Sequence, residues 1–342
     1  MAGKQLNYSR EELLRSHDYA SPQIVADQRI HGGFDEDGRY IPPRALVREP
    51  AIEAWTQELR SRGGDLLEAD ASLLDGIRYP SADQMKLLLK EGLGQTFWNT
   101  LTITGLIEAR GRFLADAVFP DFQKITDTDL GDWALGHLNK GLLEAHGIDE
   151  GGEPEAGIGG HDVMWFALRD LAFGPQDFPV PDVPENIGRE ASGRRFPRLP
   201  EAYEQTIDFL LNLLMIEFRA ERGFALSEEI LRDPTLFVDR RTEALEAAEV
   251  VDRIRTDELI HVTSLRLYLG ELRNIDLKLE DGSTVPGAEV VDTLWERIVR
   301  WATVEQPPLV AEQQRILLSA RIRAHSEGER ILSQFNELAE AA

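Results

Sequence analysis

Glu258 and His261 stand three residues apart in a segment whose apolar residues recur at helical spacing. On a helix that spacing sets a carboxylate and an imidazole side by side, one turn apart, where both can reach one metal ion. Three further segments carry the same kind of anomaly, an ionisable residue set inside an apolar stripe. Glu108 follows Phe97, Leu101 and Thr104. His137 follows Leu130 and Trp133, with Glu144 and His146 further along. Glu217 follows Ile207, Leu210 and Leu214. Residues at these intervals share one helix face. A lone buried carboxylate is costly unless it is neutralised, paired or metal-bound. Several of them aimed at one core point to a cation at its centre.

The chain has no cysteine, so thiolate zinc sites, iron–sulfur clusters, disulfides and cysteine nucleophiles are excluded. A metal would be held by histidine, carboxylate and water, a set suited to iron, manganese or zinc. The candidate ligands are Glu108, His137, Glu144, His146, Glu217, Glu258 and His261. Other residues have plainer readings. His161 with Asp162 opens a helix and reads first as helix-end chemistry, with a catalytic or outer role as the second reading. His146 with Asp149 and Glu150 likewise reads first as a helix end. Arg255 reads as an ion-pair partner, and Lys140 as solvated or paired. Arg194, Arg195 and Arg198 form a small basic cluster that reads as a solvated loop.

The elements that must position these residues are helices. The pattern predicts long helices over 95–119, 126–146, 201–232 with a kink near Gly223, and 242–273. Shorter ones are expected at 10–17, 50–61, 81–92 and 161–172. Residues 31–50 read as irregular. Residues 174–200, with six prolines, read as a long extended connection. Ile275, Leu277 and Leu279 before Asp281-Gly282 signal one small peripheral hairpin, and helices at 287–303 and 309–338 complete the chain. The class is all-α, in three parts: an N-terminal extension at 1–94, a helical bundle at 95–273, and a hairpin with C-terminal helices at 274–342. From these helix ends, Glu217 and Glu258 fall at matched depth on adjacent antiparallel helices, as do Glu108 and His137.

This layout resembles the ferritin-like di-iron carboxylate superfamily. Its pattern is a Glu on each of two bundle helices and a Glu-x-x-His on each of the other two. Glu217 followed by Glu258 and His261 matches the second half, and Glu108 matches the lone Glu of the first. The second helix departs, offering His137, Glu144 and His146 with no Glu-x-x-His. That leaves open an asymmetric di-iron site, a relation to the heme-oxygenase-like di-iron oxidases, and a single metal. The resemblance implies two iron ions, with manganese as the alternative, and oxidation of a small organic substrate with dioxygen. Two readings compete. One is a metal-free helical scaffold or interaction protein whose buried charges pair with Arg255, Arg219 or Lys140. The other is a mononuclear zinc hydrolase.

The formal net charge of −24 argues against a nucleic-acid partner. No apolar run reaches the ~18 residues of a membrane span, and the polar stretch Met1 to Arg10 has no signal-like core. A cytoplasmic location without a membrane partner is the expectation, and a homodimer is left open.

Overall fold

The computed structural model describes residues 5–190 and 193–340; residues 1–4 of the polar N-terminal stretch lie outside it. The fold is mostly helical. In chain order come α1 (Arg10–Leu13), the strands β1 (Gln23–Val25), β2 (Gln28–Ile30), β3 (Gly33–Phe34) and β4 (Tyr40–Ile41), then α2 (Ala45–Ser61), α3 (Ala82–Lys90) and α4 (Gln95–Gly111). They are followed by α5 (Leu143–Gly151), α6 (His161–Phe173), α7 (Glu201–Arg232) and α8 (Arg241–Arg273). The hairpin β5 (Asp276–Lys278) and β6 (Thr284–Pro286) leads to α9 (Gly287–Arg300), α10 (Gln306–Arg323) and α11 (Gly328–Glu340). Among the described residues no helix is long and apolar enough to cross a membrane.

The centre is a bundle in which α7 packs along α8, α4 along α6, and α6 also against α8, with α5 lying against α4. The helices α7 and α8 pass through the core, and each buries a stripe of Leu, Ile, Val and Phe along its length. Gly223 does not break α7, which runs unbroken to Arg232.

Three sequence expectations are corrected. The stretch 31–50 is not irregular throughout, because β3 pairs with β4 and α2 begins at Ala45; just before it β1 pairs with β2, so two small antiparallel ribbons join the β5–β6 hairpin. The helix expected over 309–338 is two helices, α10 and α11. The helix expected over 126–146 is mostly absent: short turns occupy 122–125 and 134–142, and the true helix, α5, begins at Leu143 and ends at Gly151. Gly147 sits inside α5 and does not terminate it. A Cβ there would lie 2.3 Å from the backbone nitrogen of Ala115, so glycine is needed for the close approach of α5 to the end of α4, not for a stop. Gly111 plays a similar part, since a Cβ on it would meet the side chain of Glu150 at 2.6 Å.

The turn that leads to α5 is held from α8. Glu271, buried, accepts from the backbone N–H of Ala134 at 3.0 Å and of Leu135 at 2.7 Å. Burial outweighs those two donors and pushes its carboxyl from 4.5 to about 8. The folded chain thus keeps a proton that the unfolded chain releases above its ordinary value. This stabilisation is complete below pH ~4.5 and is lost as pH rises through about 8, at up to ~1.4 kcal/mol per unit. Urea midpoints taken across that window should fall with pH in the native protein. In Glu271→Gln, which cannot titrate, this component should vanish; an unchanged slope would refute the assignment.

Candidate metal centre

Five helices deliver seven buried side chains to one point in the bundle: Glu108 from α4, His146 and Glu150 from α5, His161 from α6, Glu217 from α7, and Glu258 and His261 from α8. They form two adjoining groups of potential ligands. One is His146, Glu150, Glu217 and His261. The other is Glu108, Glu150, His161 and Glu258. Within each, the ligand atoms all lie within 4.8 Å of one another. An ion bonded at the ~2.0–2.2 Å usual for histidine and carboxylate ligands needs donors spaced about this closely.

Two carboxylates join the groups. Glu150 turns Oε1 toward His146 Nε2 and His261 Nδ1, each at 3.3 Å, and Oε2 toward His161 Nδ1 at 3.6 Å. Glu258 turns Oε2 toward His261 Nδ1 at 2.9 Å and Oε1 toward His161 Nδ1 at 3.1 Å. Glu217 Oε1 lies 3.1 Å from His146 Nε2. The rings of His146 and His261 stack at 3.7 Å, so both imidazoles face Glu150 from one side.

Each of two histidines is fixed from behind by an aspartate. Asp149 lies 3.2 Å from His261 Nε2, and accepts from Arg44 Nη1 at 2.9 Å and Arg48 Nη2 at 2.5 Å. Asp257 Oδ2 lies 3.1 Å from His161 Nε2 and 3.1 Å from His31 Nε2, and accepts from Tyr40 Oη at 3.0 Å. A carboxylate behind an imidazole sets its tautomer and directs the other ring nitrogen forward. The N-terminal segment is therefore part of the site. Backbone bonds from His31 N–H to Gly159 O and from Gly159 N–H to Arg29 O tie it to the loop before α6, and Arg253 holds the carbonyl of His31.

The electrostatics are those of a cation-deficient cluster. Among the described residues no Lys or Arg pairs with Glu108, Glu150, Glu217 or Glu258. Burial, then repulsion from Glu150, pushes Glu108 well above the carboxylate range. Burial, then Glu258 and Glu150, does the same to Glu217. For Glu258, burial and Glu150 act upward, but the imidazoles of His261 and His161 win and bring it down to about 2. Burial works against the charged forms of His161 and His261, and the surrounding carboxylates nevertheless raise both. His146 is lowered by burial and by His261. Protons thus do the neutralising in the metal-free protein, and divalent ions would displace them.

One detail tests the fit of a metal directly. His161 Nδ1 and Glu258 Oε1 are buried, 3.1 Å apart, and neither has a well-formed hydrogen bond. With Nε2 directed at Asp257, Nδ1 faces the carboxylate oxygen, and a metal ion could take the place of the proton between them. The all-nitrogen-and-oxygen donor set suits iron, manganese or zinc.

Of the residues singled out from the sequence, the structure brings Glu108, His146, Glu217, Glu258 and His261 together. His137 and Glu144 lie elsewhere. His137 Nε2 accepts from the Tyr8 N–H at 3.1 Å and Nδ1 faces the Trp133 carbonyl at 2.7 Å, a structural role. Glu144 is on the opposite face of α5 and pairs with Arg10. Arg255 forms ion pairs with Glu221 and Glu228. Glu150 and His161 complete the cluster. Glu150 carried a related signal: it follows His146 by four residues, where Glu258 precedes His261 by three, and an Asp stands directly before the Glu in both. In both, the Glu bridges and the adjacent Asp supports a histidine from another helix.

A cavity of about 550 Å³ opens beside the cluster. Glu108, His146, Glu150 and Glu217 form part of its wall, Phe113, Phe209, Leu213 and Phe224 give it apolar surface, and residues 184–188 of the proline-rich connection cover it. Arg110 holds that connection by donating to the carbonyls of Pro184 and Glu185.

Comparison with family models, with curated proteins and with solved structures gives no match to this chain.

Proposed function

We propose that the protein is a non-haem di-iron oxidase or oxygenase that acts on a small organic molecule with dioxygen. The observation that carries this reading is the double bridge: Glu150 and Glu258 each offer one oxygen to either of two adjacent ligand groups. A single ion would use one group and leave the remaining members of the other without a role. The resemblance to the ferritin-like di-iron carboxylate proteins supports it, with the first-half ligand pattern altered: His146 and Glu150 come from α5, and His161 from α6.

Glu108 and His161 would hold one ion, and His146, Glu217 and His261 the other, with Glu150 and Glu258 shared. A bound iron pair supplies the electrons for dioxygen reduction. The chain supplies the rest. Asp149 and Asp257 keep His261 and His161 aimed inward. The aromatic and aliphatic wall excludes water, and the cavity holds an organic molecule against the open side of the cluster.

Protein produced in iron-supplemented medium should contain about two irons per chain. The ferrous protein, mixed with air-saturated buffer in an oxygen electrode, should consume dioxygen in proportion to its iron. Iron-free protein would favour the scaffold reading. One tightly held zinc would favour a hydrolase. Two irons without oxygen uptake would remove the oxidase.

A further inference from the structure

Arg219 is the half-buried arginine of the cavity wall: Arg110, also in that wall, is exposed and donates to the carbonyls of Pro184 and Glu185, and Arg253, bonded to Gln23 and the His31 carbonyl, does not line the cavity. Arg44 and Arg48 pair with Asp149, and Arg255 with Glu221 and Glu228. Arg219 is half-buried on α7. It donates Nη1 to the carbonyl of Ile187 and Nη2 to the side-chain oxygen of Gln306, each at 3.1 Å, and its guanidinium lies 4.4 Å from the ring centre of Trp301. No carboxylate of the described residues pairs with it. Burial alone lowers it to about 10. The chain carries 61 acidic residues against 37 basic ones, so a counter-charge was readily available. A guanidinium withdrawn from water without one is only partly compensated by neutral acceptors. It also lines the same cavity as Glu108, His146, Glu150 and Glu217, whose wall includes the apolar Phe209, Leu213 and Phe224.

We propose that the substrate is a monocarboxylate with an apolar body, whose carboxylate pairs with Arg219 and whose hydrocarbon part fills the cavity toward the cluster. One planar guanidinium, set over an aromatic ring, matches one planar carboxylate. A phosphate dianion would call for a second cation, and the other arginine of the wall, Arg110, is taken up by the carbonyls of Pro184 and Glu185. The inference rests on the metal-cluster reading for the chemistry performed, but not for the binding itself.

Decanoate and its neutral analogue decanamide serve as probes. Each is titrated into the native protein, Arg219→Gln and Arg219→Lys, metal-free and, under anaerobic conditions, ferrous-loaded. Binding is followed by calorimetry and by tryptophan fluorescence, to which Trp301 contributes. The native protein should bind decanoate at least ~10-fold more tightly than decanamide, as a charge-assisted contact requires. That preference should persist without metal, disappear in Arg219→Gln and return in part in Arg219→Lys. Equal binding of acid and amide, binding of neither, a preference confined to the ferrous protein, or one that Arg219→Gln retains, each overturns the proposal. A native protein that prefers the acid yet takes up no iron would sink the metal reading and leave this one standing.

Discussion

Glu150→Gln should empty both halves of the cluster at once, whereas Glu217→Gln should weaken mainly one. Glu150 is the one residue present in both ligand groups, and its two oxygens point in opposite directions, to His146 and His261 on one side and to His161 on the other. An amide replaces one of those oxygens by a donor and removes the charge both ions would share. Losing even a supporting partner of a metal ligand costs ~10–100-fold in affinity, and losing a shared ligand should exceed the upper end of that range for both ions. Iron content would drop from about two per chain toward none in Glu150→Gln. It would drop toward one in Glu217→Gln, since Glu217 belongs to a single group. Elemental analysis after gel filtration reads the difference. Equal losses in the two variants would mean that the cluster does not have the bridged form described above.

Asp149→Asn should be the most destabilising single change around the site. Asp149 is fully buried and meets Arg44, Arg48 and His261. Burial works against its charge, but Arg48, the bond to His261 and Arg44 together hold its carboxyl well below the usual range. Removing that charge strands the buried guanidinium of Arg48 and leaves Arg44 with Glu153 alone, and breaking a buried pair on one side costs about 3–5 kcal/mol. Chemical denaturation of the metal-free variant should register a loss of that order, and iron affinity should fall ~10–100-fold because His261 loses its support. A loss under ~1 kcal/mol, typical of exposed pairs, would show that Arg44 and Arg48 are satisfied without Asp149.

The helical class and the course of α7 and α8 were legible because both helices carry long, regular apolar stripes. Burial on one face leaves its mark on composition along the whole element. Glu217, Glu258 and His261 were found by the same means, as polar residues inside such a stripe. The first half was harder to read. Between 116 and 142 the chain makes short turns and no full helix, and its apolar residues Leu130, Trp133 and Leu135 are buried by tertiary packing. Their spacing mimics a helix that is not there. Gly147 then looked like a stop, although its missing side chain serves the contact with Ala115. Placing the helix end before Glu150 made the ligand-cluster reading of His146, Asp149 and Glu150 second to a helix-end one. His161 was obscured for a different reason, since it is the first residue of α6, and no periodicity can show which way a helix-opening side chain points. The roles of His31, Tyr40, Arg44 and Arg48 depend on contacts across more than a hundred residues of sequence, a range at which spacing carries no information.

That last distance has a consequence for how the molecule matures. His31 and Tyr40 reach Asp257 over separations of 226 and 217 residues. The first fifty residues can meet Asp149 and Gly159 before α8 is made, but the contacts of His31 and Tyr40 with Asp257 must wait for α8, and contacts of such high sequence separation slow folding. Until then neither His161 nor His261 has its full set of supports, and the cluster stays loosely arranged. Assembly of the centre is thereby tied to the making of α8: a chain that stops before Asp257 lacks the carboxylate that holds His161, His31 and Tyr40 together.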